Sequence, residues 1–129
     1  MELPEFSIGL SARMELTVTD ADTAQALGSG DVPVLGTPRV LALAEAATVA
    51  ATARQMPGGV TTVGTRAEVE HRAPTPVGRH VTALATLAKV DGRKLLFEVE
   101  VHDGATLVAE VRVERAIVDR QRFIEKALG

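Results

Sequence analysis

Three residues of this 129-residue chain, Glu45, His71 and Arg115, break the apolar pattern around them, and each brings chemistry with it. Glu45 is the only charge between Arg39 and Arg54, and Leu41, Ala44, Thr48 and Val49 surround it on a helix surface. Burying a carboxylate is costly unless it is paired or neutralised. Two readings follow for Glu45: a buried carboxylate that is paired or neutralised within the apolar face, or a member of a narrow exposed strip beside alanines. His71 shares a strand face with Thr65, Ala67, Val69 and Ala73, opposite Arg66, Glu68, Glu70 and Arg72, so alternation turns it inward. An inward histidine is either a hydrogen-bonded core residue or a proton-transfer group. Arg115 repeats the anomaly on the face of Leu107, Ala109, Val111, Val113 and Ile117. It needs an anionic partner, either a carboxylate of the protein or a ligand phosphate. Thr37 precedes Pro38 and fits a helix N-cap. It also stands at the positive end of a helix, about two turns before Glu45, so Thr, Glu and His could line one pocket. His102 shares its face with Glu98 and Glu100 and reads as solvent-facing, and His80 opens a strand without clean alternation and receives no role.

These side chains require elements to hold them. Arg13 to Thr19 alternates apolar and polar residues and predicts a first strand. Asp20 to Leu27 predicts a short helical segment stopped by Gly28-Ser29-Gly30, and the segment 26–36 is a candidate mobile lid, loosest from Gly28 to Pro33. A principal helix is predicted from a Thr37 cap through Arg54, ended by Pro57-Gly58-Gly59. Four long strands follow: 60–73 with a bend at Gly64, 80–90, 94–102 and 105–118. Asp91-Gly92 and Asp103-Gly104 predict type I′ hairpins, in which both central residues have positive φ. Residues 119–128 predict a terminal helix. One strand, one apolar helix and a run of antiparallel strands make an α+β layer structure. A helix apolar nearly all round must be covered on more than one side, which a strongly curved antiparallel sheet wrapped around it achieves. That is the hot-dog arrangement, with a cystatin-like roll as the other candidate.

The composition narrows the function. The length predicts one domain over 1–129, and 46% hydrophobic and 24% charged residues with mean hydropathy +0.14 are ordinary for a globular chain. A net charge of -3 without any Lys/Arg run argues against nucleic acid. Absence of cysteine removes thiolate nucleophiles, thiolate metal sites and disulfides. With three Phe and no Trp or Tyr, stacking platforms are hard to build. The uncharged runs on either side of Glu45 together fall short of the roughly 18 residues that span a bilayer. The start MELPEFSIGL lacks an apolar targeting core, which predicts a cytoplasmic protein.

The stretches Val34 to Glu45, Val63 to His71, Pro74 to Gly78, His102-Asp103-Gly104 and Glu114-Arg115-Ala116 resemble the hot-dog thioesterases similar to fluoroacetyl-CoA thioesterase. The likeness runs from about Phe6 to Phe123. It implies hydrolysis of a short or medium acyl-CoA thioester, with Thr37, Glu45 and His71 as the catalytic set and Gly36, Gly64 and Arg115 at the substrate. It implies no metal, no cofactor beyond the coenzyme A of the substrate, and a homodimer with sites between subunits. The other readings are hydration or dehydration of a thioester on the same fold, and a carrier that binds an acyl ligand with Glu45 and His71 as a satisfied buried pair. The family's fluoroacetyl specialist closes its pocket with phenylalanines, whereas the segment from Ala26 to Val34 contains no aromatic residue.

Overall fold

The computed structural model describes all 129 residues. The chain runs β1 (Ser11–Thr17), a 3-10 turn (Asp20–Asp22), α1 (Ala24–Leu27), α2 (Thr37–Thr52), a second 3-10 turn (Ala53–Gln55), β2 (Val60–His71), β3 (His80–Asp91), β4 (Lys94–Asp103), β5 (Thr106–Asp119) and α3 (Arg120–Ala127). Every predicted element forms, with boundaries moved by a few residues. The strands build one antiparallel sheet in the order β1-β3-β4-β5-β2, leaving β1 and β2 at the edges. α2 packs against all five strands. A flat five-strand sheet is roughly 19 Å across, wider than the 10–12 Å of a helix with its side chains, so the sheet has to curve around α2. The hot-dog arrangement expected from the sequence is the one observed.

Inward residues of the three central strands form the core: Val81, Ala83, Ala85 and Leu87 of β3, Leu95, Phe97, Val99 and Val101 of β4, and Val111, Val113 and Ile117 of β5. Ala44, Ala47 and Ala51 of α2 are also buried against them, and these small side chains let helix and sheet approach closely. One strip of the helix stays outside this packing. Ala42 and Val49 are exposed, and Glu45 and Ala46 are partly so.

Three local expectations change. The N-cap of α2 is Gly36, not Thr37; Thr37 is the first helical residue and its side chain makes no capping bond. Both hairpins form, but Asp91 pairs with Lys94 and Asp103 with Thr106, so the aspartates flank the turns instead of occupying them. Gly92 (φ 57°) and Gly104 (φ 58°) take the first central positions, and no other type of residue has positive φ. That pattern belongs to type II′ and not to type I′. Finally, β2 carries a bulge between Gly64 and Arg66, which inverts the alternation. Thr62 and Gly64 face inward before it, Val69 and His71 after it, and Thr65 sits at the bulge, its hydroxyl donating to the Glu114 carbonyl at 3.2 Å.

Candidate active site

The three anomalous residues and Thr37 gather as two pairs. At the start of α2, Thr37 Oγ1 and His71 Nδ1 are 2.8 Å apart. The capping change explains the contact: with the first turn entered through glycine, the threonine hydroxyl is free to meet the last residue of β2. If the hydroxyl donates, the neutral ring carries its proton on Nε2. That nitrogen is buried without a partner in the chain. Burial holds the His71 pKa below its ordinary 6.5, the Ala73 backbone opposing in part, so a neutral imidazole is favoured. Thr37 and His71 border an open pocket of about 280 Å³, with Ala24, Val32 and Leu35 among its walls.

The second pair lies farther along the helix. Arg115 donates through Nη1 to Glu45 Oε2 at 2.9 Å. Its Nε donates to Thr62 Oγ1 at 2.9 Å and its Nη2 to the Thr62 carbonyl at 3.0 Å. The arginine side chain is 7% exposed and the glutamate side chain 37%. Arg115 therefore spends its donors inside the protein, and Glu45 keeps one side toward solvent. Gly64 lies opposite Arg115 in the β2–β5 register, and a Cβ there would overlap Glu45 Oε2. The glycine is what admits the carboxylate to the arginine.

Both readings of Glu45 thus hold a part of the truth: it is ion-paired, and it sits on the exposed strip. The eight residues from Thr37 to Glu45 set the pairs about 12 Å apart along the helix axis, and no hydrogen bond joins them within one chain. Gly36 is committed to the fold: its N–H donates to the Asp22 carbonyl at 2.9 Å, and a Cβ would come to 3.1 Å from the Ala24 backbone. His102 is partly exposed, 3.7 Å from Glu100. His80 meets Thr17 at 3.1 Å.

Two participants escaped sequence reasoning. Thr62 was hidden by the bulge, although a glycine inside a strand is itself a bulge signal. Asp22 is buried, with its carboxylate on the side chain of Arg39 at 3.0 Å. Burial alone would raise its pKa, but hydrogen bonds from the Thr19 backbone and hydroxyl, together with Arg39, hold it below the ordinary 3.8.

A curved sheet around one helix, with a carboxylate and a hydroxyl–imidazole pair on that helix and its edge strand, defines the hot-dog thioesterase class. A solved fluoroacetyl-CoA thioesterase matches with TM-score 0.88 and 30% identity over 95% of this chain and 96% of its own. A hot-dog-like protein from Thermanaerovibrio acidaminovorans matches with TM-score 0.87 and 25% identity over 95% and 91%. The fluoroacetyl-CoA thioesterase of Streptantibioticus cattleyicolor is 37% identical over 93 residues, 72% of this chain and 67% of that protein. The sequence pattern of the fluoroacetyl-CoA-specific thioesterases matches residues 18–121, a span that contains all six candidate site residues. The chain belongs to that family. It is an enzyme, a thioesterase that hydrolyses an acyl-CoA.

Proposed function

We propose that the enzyme releases coenzyme A from several short or medium acyl-CoA thioesters, with Glu45, Thr37 and His71 as its catalytic groups. Glu45, held by Arg115 over Gly64, attacks the thioester carbonyl to give an acyl-enzyme anhydride or activates a water for the same attack. Label from isotopic water enters the Glu45 carboxylate only on the anhydride route. Thr37 orients the thioester, and His71, with Nε2 unengaged, moves the proton. Gly64 and Gly36 shape the walls, and Arg115 balances the carboxylate charge. The chemistry uses no metal and no cofactor apart from the substrate's coenzyme A.

The separation of the two pairs supports a homodimer. β2 is an edge strand with a free side, beside the exposed strip of α2, and unpaired edges favour pairing across a two-fold axis. With the bulge residue Thr65 skipped on each strand, an axis passing through Glu68 would set Gly64 opposite the partner's His71, joining the Glu45 pair of one subunit to the hydroxyl–imidazole pair of the other. The whole chain acts as one domain, segment 26–36 as its lid, and we assign the enzyme to the cytoplasm, in keeping with its lack of cysteine.

The observation that carries the substrate reading is the lid. It contains Gly28, Ser29 and Gly30 and no aromatic residue, so its walls do not grip a two-carbon acyl group tightly. One methylene in an apolar pocket is worth about 1–3 kcal/mol, which gives graded preferences over chain length. Thiol release from a series of acyl-CoAs tests this, with fluoroacetyl-CoA expected to exceed acetyl-CoA in kcat/KM by less than about a hundredfold. A much larger ratio would overturn the reading of the lid.

A further inference from the structure

We propose that Asp22 and Arg39 are positioning residues, which tie both legs of the lid to the first turn of α2 and so hold Thr37 in register with His71. The inference rests on the roles just given to Thr37 and His71. Three connections converge on Asp22. Its Oδ2 accepts from the Thr19 backbone N–H at 2.8 Å and the Thr19 hydroxyl at 2.9 Å, at the root of the first leg. Its backbone carbonyl accepts from Gly36 at 2.9 Å, at the end of the second leg and next to Thr37. Its Oδ1 accepts from Arg39 Nε at 3.0 Å, on the helix. Beyond these anchors residues 25–33 are exposed, and backbone bonds from Ala24 N–H to the Val34 carbonyl at 2.8 Å and from Gln25 N–H to the Val32 carbonyl at 3.2 Å join the two legs.

Helix stability does not account for Arg39. The residue occupies the third position of α2, where the dipole favours acids and disfavours cations, and the first turn contains no acid. Capping of the 3-10 turn accounts for Asp22 Oδ2 on Thr19 but not for Oδ1 on Arg39, since a partly exposed ion pair contributes little stability. What a charged pair supplies is direction. The Arg39 side chain is 31% exposed and that of Asp22 11%, so the guanidinium reaches inward from the surface and draws the helix end onto the lid root. The second leg is fixed from its other side as well, where Leu35 N–H donates to the Thr75 carbonyl at 2.8 Å, just beyond His71. Thr37 is thus suspended between two anchors, one toward Asp22 and one toward the loop that follows His71.

Arg39→Gln removes the charged contact and leaves Asp22 its bonds to Thr19, while Arg39→Lys keeps a cation in reach of Oδ1. A misplacement of about 1 Å costs on the order of a hundredfold in turnover. Partial loosening should therefore lower kcat of the Gln variant about tenfold or more, with KM moving less than about threefold and the Lys variant recovering most of the loss. In the same variant the ring nitrogen resonances of His71 should shift as its bond to Thr37 weakens. An unmoved His71 spectrum overturns the proposal whatever the activity does, and so does wild-type kcat in the Gln variant or a loss confined to KM. A wild-type protein inactive on every acyl-CoA would instead sink the catalytic reading, and the His71 spectrum would still decide the positioning role.

Discussion

Gly64→Ala puts the construction of the carboxylate site to a test whose sign depends on it. Gly64 is not in the left-handed region, so alanine suits its backbone, and at an ordinary strand position the change would stabilise by about 0.5–1 kcal/mol. Here the new methyl would overlap Glu45 Oε2 and stand 3.4 Å from Arg115 Nη1. The carboxylate must leave, and with it the Arg115–Glu45 hydrogen bond. A hydrogen bond to a charged group contributes about 1.5–3 kcal/mol. The displaced glutamate regains water from its exposed side, and Arg115 keeps both bonds to Thr62, so the lower half of that range applies. Set against the backbone gain, a net loss of about 1 kcal/mol remains, or roughly 3–5 °C in Tm for a chain of this size. Activity should suffer more, because a carboxylate shifted by about 1 Å loses on the order of a hundredfold in kcat. Scanning calorimetry and thiol-release kinetics on the same preparation read both quantities. An alanine variant that melts higher than wild type and keeps kcat within about threefold would refute the argument that Gly64 exists to admit Glu45.

Glu45→Gln should lower kcat by at least about a hundredfold with the fold intact, since it keeps the shape and removes the nucleophile or base. His71→Ala should add less than its own loss when combined with that change, because the groups act as a unit; simple additivity in a double-mutant cycle would separate them. His71 also links stability to pH. Its folded pKa lies below the ordinary 6.5, so between the two values the unfolded chain binds more protons and stability rises with pH. The contribution is complete above 6.5 and is lost as pH falls through the folded value. Melting curves from pH 4 to 8, roughly bracketing that window, should show a slope that is reduced in His71→Asn. Sedimentation should give twice the 13.6 kDa of one chain, and a monomer in dilute solution would contradict the shared site.

Much of the fold was legible because its signals are local. The strands announce themselves by alternation, and α2 by its Pro38 start and Pro57-Gly58-Gly59 stop. Hairpins follow from Asp91-Gly92 and Asp103-Gly104, although the turn type did not, since register decides which residues are central. The anomalies at Glu45, His71 and Arg115 were legible for the same reason, each charge or imidazole standing against its neighbours. Their partners were not. Glu45 and Arg115 are 70 residues apart in the chain, and alternation tells which face a side chain occupies without telling what it meets there. The bulge after Gly64 then inverts the parity on which Thr65 had been turned inward, which is why Thr62 went unseen.

The amino-acid sequence by itself determined the elements, their order, the apolar helix that demands a curved sheet, and the few ionisable residues that stand against their apolar neighbours. These follow from backbone preference and hydrophobic period, which act over a few residues. Only the tertiary structure decided that Thr37 bonds His71 instead of capping its helix, that Gly64 makes room for Glu45 against Arg115, and that Asp22 pairs with Arg39 of α2. Each of these depends on one segment approaching another to within a hydrogen bond or a methyl radius. Such distances are set by the packing of the whole sheet around α2 and leave no period in the chain.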